Sequence, residues 1–121
     1  MSKIDIVKHL IGLFEVMNVD EFLTYLTDDA EYRFGNYPAA VGKAAVEATI
    51  KASHLDHIKG IAFGIKNIWE IDDAVVCELE ITYTRLDDST LVLPCLDVFR
   101  MTGDKVRAML VYMDASPLFA A

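Results

Sequence analysis

Residues Leu91–Asp114, LVLPCLDVFRMTGDKVRAMLVYMD, predict a β-hairpin, in which two strands rich in apolar and β-branched residues are joined at Thr102-Gly103-Asp104. Successive side chains of a strand point to opposite faces, so alternate residues of the first strand share one face. These residues are Leu91, Leu93, Cys95, Asp97, Phe99 and Met101. A carboxylate buried on such an apolar face must be paired, hydrogen-bonded or neutralised by a raised pKa. Asp97 is therefore the first candidate for a functional residue.

The composition predicts one packed domain spanning residues 1–121. Hydrophobic residues make up 54% of the chain and charged residues 25%, which is typical of a globular protein with a core. No apolar stretch approaches the roughly 20 residues that a membrane span needs. The start of the chain, MSKIDIVKHL, lacks the pattern of a signal peptide. We therefore expect a cytoplasmic protein with no membrane partner.

The charges and cysteines argue against several other classes of function. Asp and Glu number 19 against 11 Lys and Arg, and the basic residues are scattered, so nucleic acid is not expected as a partner. Cys77 and Cys95 occupy apolar strand positions without metal-ligand spacing, and we expect free, packed thiols. The sequence has no phosphate-binding glycine loop or cofactor motif, so no cofactor is expected.

Two helices are predicted at the start of the chain. Residues Ser2–Asp5 have the spacing of a capping box, and apolar residues follow at helical intervals to about Val16. Asn18 or Asp20 caps a second, shorter helix, which Asp28-Asp29 end. The apolar side of this helix consists of Phe22, Leu23, Tyr25 and Leu26.

The remaining chain is predicted to form one more helix among strands. A short strand over residues 30–34 ends at Gly35-Asn36-Tyr37-Pro38, and a helix follows Gly42 and gives way around residues 54–56. Its core-facing side consists of Ala45, Val46, Thr49, Ile50 and Ser53. The later strands are Ile58–Ile71, with bends or bulges at Gly60 and Gly64, then Ala74–Thr84, and the two strands of the hairpin.

The order α-α-β-α-β-β-β-β predicts the α+β class. We expect a cone-shaped, curved antiparallel sheet with three N-terminal helices packed on its concave face, and the interior of the cone is the natural ligand cavity. In the last strand both alternating sets, Ala108-Leu110-Tyr112 and Met109-Val111-Met113, are apolar. Both faces of the sheet should therefore be covered, one by helices and the other by a second subunit. We expect a homodimer through the sheet.

Four segments in this order resemble the nuclear transport factor 2-like superfamily, and within it the SnoaL-like and ketosteroid-isomerase-like proteins. The segments are NVDEFLTYLTDDA (18–30), VGKAAVEATI (41–50), LDVFRMTGDKV (96–106) and VYMDASPL (111–118). The resemblance implies a cystatin-like α+β barrel, a small-molecule pocket and a homodimer. The superfamily contains isomerases, polyketide cyclases, dehydratases, epoxide hydrolases and non-enzymatic binders, so fold alone does not select a reaction.

Of the three catalytic residues of ketosteroid isomerases, one has a match in this sequence. Asp97 matches the acid that helps to hold the oxyanion. The position of the general base holds Phe34, and the oxyanion-hole Tyr falls at or near Leu10. Steroid isomerisation is therefore not expected.

Two further resemblances concern other acidic residues. The catalytic Asp of limonene epoxide hydrolases would fall near Val111, and their Arg-Asp pair would fall near Glu78 and Glu80. This sequence therefore lacks their set of catalytic residues. Strand alternation places both glutamates towards solvent or a subunit interface, whereas the epoxide-hydrolase comparison turns Glu80 inward. SnoaL-like cyclases have an acidic residue near the end of the last strand, and Asp114 is its match.

The candidate catalytic residues are Asp97, Asp114 and His54. In a dry cone Asp97 would be a hydrogen-bond donor to a carbonyl or enolate oxygen; alternatively, it is a structural carboxyl group that holds strands together. Asp114 is either a base at the cone mouth or an acceptor for backbone N–H groups of the following turn. His54 and His57 could bind a metal together, but no third ligand is evident and the pair suits a helix end, so we expect no metal. His54 is instead expected to line the cone mouth. His9 is expected to be exposed.

The apolar residues predict the kind of ligand. Aromatic side chains from several elements should converge in the cone and suit a small apolar or aromatic, carbonyl-bearing molecule. The candidate substrate-binding residues are Phe14, Tyr32, Phe34, Trp69, Phe99 and Met113. The function predicted is cofactor-free acid–base chemistry of the isomerase, cyclase or hydratase type. The alternatives are a non-catalytic ligand-binding module and a structural dimer with a filled cone.

Overall fold

The computed structural model describes residues 1–53 and 55–119, and its element order confirms the predicted α+β class. The helices are α1 (Lys3–Glu15), α2 (Val19–Thr24), α3 (Lys43–Ser53) and α4 (Ser116–Phe119), with a 3-10 turn at Leu55–His57. The strands are β1 (Leu26–Phe34), β2 (Ala40–Val41), β3 (Ile58–Ile71), β4 (Ala74–Arg85), β5 (Thr90–Thr102) and β6 (Lys105–Tyr112). The short elements β2 and α4 were not predicted.

The six strands form one curved, unclosed sheet in the order β2-β1-β6-β5-β4-β3. Strands β3 to β6 form the predicted antiparallel meander. The prediction of a wholly antiparallel sheet is wrong at one position, because β1 runs parallel to β6, with Tyr32 opposite Met109. Parallel neighbours require a long crossover connection, and here the chain between them contains α3 and four strands.

The starts of the first two helices follow from their caps. The Asp5 backbone N–H donates to the Ser2 hydroxyl (3.1 Å), and the Ser2 N–H donates to the Asp5 carboxylate (3.4 Å), which confirms the capping box. The Asn18 side chain accepts the Glu21 N–H (3.1 Å) at the start of α2. This helix ends earlier than predicted, at Thr24, because Leu26 is buried as the first residue of β1.

A bulge in β3 reverses which side chains face inward. The register shifts near Gly60, as predicted, and again between Ile65 and Asn67, rather than at Gly64. Because position 66 is an extra residue, each later side chain of β3 points to the face opposite to the one that simple alternation predicts. Ile68 therefore pairs with inward-facing Cys77, and Trp69 points outward.

The sheet has an inner face covered by helices and an outer face without a covering element among the described residues. Helix α1 packs on β3 and β4, and α3 packs on β1. The Glu15 carboxylate at the end of α1 also accepts the backbone N–H of Phe63 in the edge strand β3 (2.9 Å). No helix in the described part of the chain has the length and apolar character needed to cross a membrane.

Candidate ligand cavity around Asp97

Asp97 lies on the inner face of β5, in the middle of the sheet. It is opposite Cys77 of β4 and Val111 of β6, and only 3% of its surface is exposed. Among the described residues it is the one acidic or basic residue that is buried. The position of this carboxyl group agrees with the alternation of the sequence.

A cavity adjoins Asp97 between α1 and the inner face of the sheet. The volume open to the centre of a water molecule is about 20 Å³, enough for about one water in the present side-chain arrangement. Its walls are apolar and aromatic apart from Asp97 and two tyrosines. The lining residues are Ile11, Phe14, Tyr32, Phe34, Phe63, Ile81, Tyr83, Asp97, Phe99, Met109, Val111 and Met113.

Burial dominates the electrostatics of Asp97. Desolvation raises the pKa of its carboxyl group from 3.8 to about 7, because the charged form loses its hydration. The Cys95 thiol donates to Oδ1 (3.2 Å) and lowers the pKa in part. Within the described residues this thiol is the one hydrogen-bond partner of the carboxyl group. Near neutral pH the group can exist as a neutral acid or as a carboxylate.

Tyr83 is a second polar group of the cavity and was missed in the sequence. It lies on the inner face of β4, two residues after Ile81, and its hydroxyl donates to the Met113 sulfur (3.8 Å), a long and weak contact. Burial raises the pKa of the Tyr83 phenol, so it stays protonated at neutral pH. The same alternation that identifies Asp97 would have identified Tyr83.

The two cysteines are free, as predicted, and both are buried on the inner face. Burial raises the pKa of Cys77 to about 12 and that of Cys95 further still, with the Asp97 charge as a second cause. The thiolate is the reactive form of cysteine, so neither side chain is set up as a nucleophile.

Five of the six predicted substrate-binding residues line the cavity. They are Phe14, Tyr32, Phe34, Phe99 and Met113. The sixth prediction is wrong, because Trp69 lies on the outer face with 46% of its surface exposed. Its displacement follows from the bulge after Ile65, which the sequence does not reveal.

The other predicted catalytic residues lie outside the cavity or outside the described residues. Asp114 is exposed, accepts the backbone N–H of Ser116 (3.0 Å), and lines a surface groove. Hydrogen bonds from Ser116 lower the pKa of the Asp114 carboxyl group, which matches its alternative role as a turn acceptor. His54 lies outside the described residues. His57 contacts the carbonyl of Ala52 (3.1 Å) and the ring of Phe119.

The other acidic residues considered in the sequence, and His9, lie on the surface. Glu78 and Glu80 point outward, where Glu78 accepts from Asn67 (2.8 Å). His9 is exposed, as expected, and pairs with Glu21 (2.8 Å). Among the described residues, no group of three His, Cys, Asp or Glu side chains could hold a metal ion.

The SnoaL-like domain profile matches residues 7–109, which include most of α1, most of the sheet and most of the residues that line the Asp97 cavity. The chain belongs to the SnoaL-like domain family. No curated protein matches this SnoaL-like chain.

Solved structures show that the SnoaL-like chain shares its fold with proteins of several descriptions. An NTF2-like protein of unknown function from Burkholderia pseudomallei superimposes with a TM-score of 0.86 at 16% identity, over 98% of this chain and 96% of the other. TerC, co-crystallised with polyporic acid, gives 0.81 at 18% identity, over 97% and 95%. An LEH-like epoxide hydrolase from Mycobacterium tuberculosis gives 0.78 at 18% identity, over 97% and 86%.

Proposed function

We propose that this SnoaL-like protein binds a small apolar or aromatic molecule with a carbonyl group in the cavity beside Asp97. The observation that carries the proposal is a single buried carboxyl group, with pKa raised to about 7, in a wall of aromatic and aliphatic side chains. Apolar walls favour an apolar ligand, and the few polar groups fix its orientation.

Asp97 is the group proposed to act on the ligand. In its neutral form the carboxyl group donates a hydrogen bond from Oδ2 to a carbonyl or enolate oxygen, while Cys95 occupies Oδ1. As a carboxylate it can accept a proton, and a pKa near 7 suits both directions of transfer at neutral pH. This chemistry is of the isomerase, cyclase or hydratase type and requires no cofactor.

The comparisons support a small organic ligand without identifying it. TerC was crystallised with polyporic acid, and the Mycobacterium tuberculosis protein is described as an epoxide hydrolase. The sequence resemblance to epoxide hydrolases does not extend to their acidic residue, since Val111 occupies that position as an apolar wall of the cavity. Carbonyl chemistry at Asp97 is therefore favoured over epoxide opening.

The small volume of the cavity favours a second candidate, a structural dimer with a filled cone. About 20 Å³ accommodates one water molecule but no aromatic ring, so ligand binding requires side-chain movement. If these side chains do not move, Asp97 is a buried carboxyl group that bonds only to Cys95 of its own strand among the described residues, and it has no part in binding.

A ligand pair that differs in the carbonyl group tests the proposal. Acetophenone and ethylbenzene have similar size, and their affinities can be measured by NMR titration. We expect the wild-type protein to bind acetophenone at least tenfold more tightly, and Asp97→Leu to remove the preference. Asp114→Leu is the control and should keep it. If neither ligand binds, the filled cone is favoured.

A second measurement separates an enzyme from a non-catalytic binder. In D₂O, acid–base catalysis would accelerate exchange of the acetophenone methyl protons for deuterium, and Asp97→Asn would abolish the acceleration. Binding without any acceleration would favour the non-catalytic module.

We further propose that the protein is a homodimer through the outer face of the sheet. This face combines the exposed apolar side chains of Trp69, Leu96 and Tyr112 with the half-buried Val98 and Leu110. Trp69, Val98 and Leu110 belong to one row, in which Val76 supplies the β4 position, and Leu96 and Tyr112 lie side by side in the next row on β5 and β6. A second copy would cover this apolar surface.

Light scattering at micromolar concentration tests the homodimer. Leu96→Glu should give a monomer, whereas Leu86→Glu, in the exposed turn after β4, should remain dimeric. Trp69 is the only tryptophan of the chain, so its emission should shift to longer wavelength on dissociation. A wild-type monomer would disprove the proposal.

A further inference from the structure

We propose that Met113 is the gate between the Asp97 cavity and an outer groove, and that it sets the size of ligand that the protein accepts. The inference rests on the proposed ligand site and identifies how a molecule reaches it.

The Asp97 cavity and a surface groove lie side by side and share part of their wall. The Asp97 cavity has a volume of about 20 Å³, and a surface groove of about 660 Å³ lies beside it. Within the described part of the chain, Phe34 and Met113 are the two residues that line both spaces. These two side chains therefore separate a buried acid from a groove large enough for a small molecule.

Of the two shared residues, Phe34 is fixed. It is almost completely buried, and its ring stacks on Tyr37 at a centroid distance of 5.9 Å and an interplanar angle of 18°. It ends β1, where it lies opposite Val111 of β6. Movement of Phe34 would disturb the sheet and the aromatic contact together.

Met113 has a fixed backbone and a movable side chain. Gly35 donates its N–H to the Val111 carbonyl (2.9 Å), and a Cβ at Gly35 would lie 3.2 Å from the Met113 carbonyl, so the two chains are closely packed here. The half-buried thioether has three rotatable bonds and is held by the weak Tyr83 contact at 3.8 Å. Rotation of this side chain costs little compared with any other movement of the wall.

When the Met113 side chain rotates away, the cavity and the groove together would accommodate a ligand with two parts. An apolar head with a carbonyl oxygen would enter beside Asp97, past the displaced thioether of Met113. The remainder would stay in the groove, whose lining includes the polar residues Asn36 and Ser116. The accepted ligand would be larger than the closed cavity indicates.

Two ketones of different width test the gate by NMR titration: acetophenone and 2-acetylnaphthalene. We expect Met113→Ala to bind 2-acetylnaphthalene at least tenfold more tightly than the wild type does, and Met113→Phe to weaken both ketones. Met101→Ala is the matched control, since Met101 is more deeply buried but lines neither space. Its affinities should equal those of the wild type.

The outcomes separate this inference from the proposed function. If acetophenone binds at Asp97 but Met113→Ala and Met113→Phe leave both affinities unchanged, the gate is wrong and the ligand site remains. An equal gain in Met101→Ala would also overturn the gate, because general loosening would explain it. If no variant binds either ketone, the ligand site and the gate both fail.

Discussion

Asp97 and Asp114 belong to the same β-hairpin region, yet their surroundings differ in almost every respect. Asp97 is enclosed by apolar side chains, and burial raises its pKa to about 7. Asp114 is exposed, and hydrogen bonds from Ser116 lower its pKa. The same side chain is therefore a candidate proton donor in one position and a permanently charged turn residue in the other. The exposure of each carboxyl group to water accounts for this contrast between Asp97 and Asp114.

The largest expected effect is a pH-dependent loss of stability that Asp97→Asn abolishes. Between pH 4 and 7 the unfolded chain ionises Asp97 while the folded chain keeps the proton, so stability falls as pH rises. Each unit of pKa difference corresponds to about 1.4 kcal/mol, which gives about 4 kcal/mol over this range. Urea unfolding of wild type and Asp97→Asn at several pH values measures the difference. Parallel profiles would contradict the raised pKa.

A smaller effect is expected from the thiol beside Asp97. Cys95→Ala removes the hydrogen bond to Oδ1, so the pKa of Asp97 should rise further, and the free energy of unfolding should fall by about 1–2 kcal/mol. The ¹³C chemical shift of the Asp97 carboxyl carbon reports its titration. Cys77→Ala is the control, because Cys77 is equally buried but does not donate to Asp97 in the described structure. Equal pKa changes in both variants would show that the hydrogen bond has no special role.

The smallest effect is expected at Asp114. Asp114→Asn keeps an acceptor for the Ser116 N–H, and the group is exposed, so the stability profile between pH 5 and 8 should match that of the wild type. The same urea experiment checks this. A pH-dependent difference comparable to that of Asp97→Asn would mean that the two carboxyl groups are not in contrasting environments.

The sequence predicted most of the inner wall but not its full geometry. Alternation along β5 placed Asp97 inside, and the order of the helices and strands led to the correct fold class. Trp69 was misplaced because one extra residue in β3 reverses the faces, and a bulge depends on strand pairing that a single sequence does not encode. The parallel pairing of β1 with β6 is likewise a long-range contact. The volume of the cavity depends on side-chain packing and could not be predicted.

The hydrogen bond between Glu15 and the Phe63 backbone has a consequence for solubility. Strand β3 is 14 residues long and forms an edge of the sheet, and such an edge can recruit strands from other molecules into aggregates. Helix α1 places a charged group against one of its free N–H donors, at a residue that also lines the cavity. The helix that covers the cavity thus also blocks one position of the sheet edge, so mutations that reshape this end of α1 risk aggregation as well as a changed cavity.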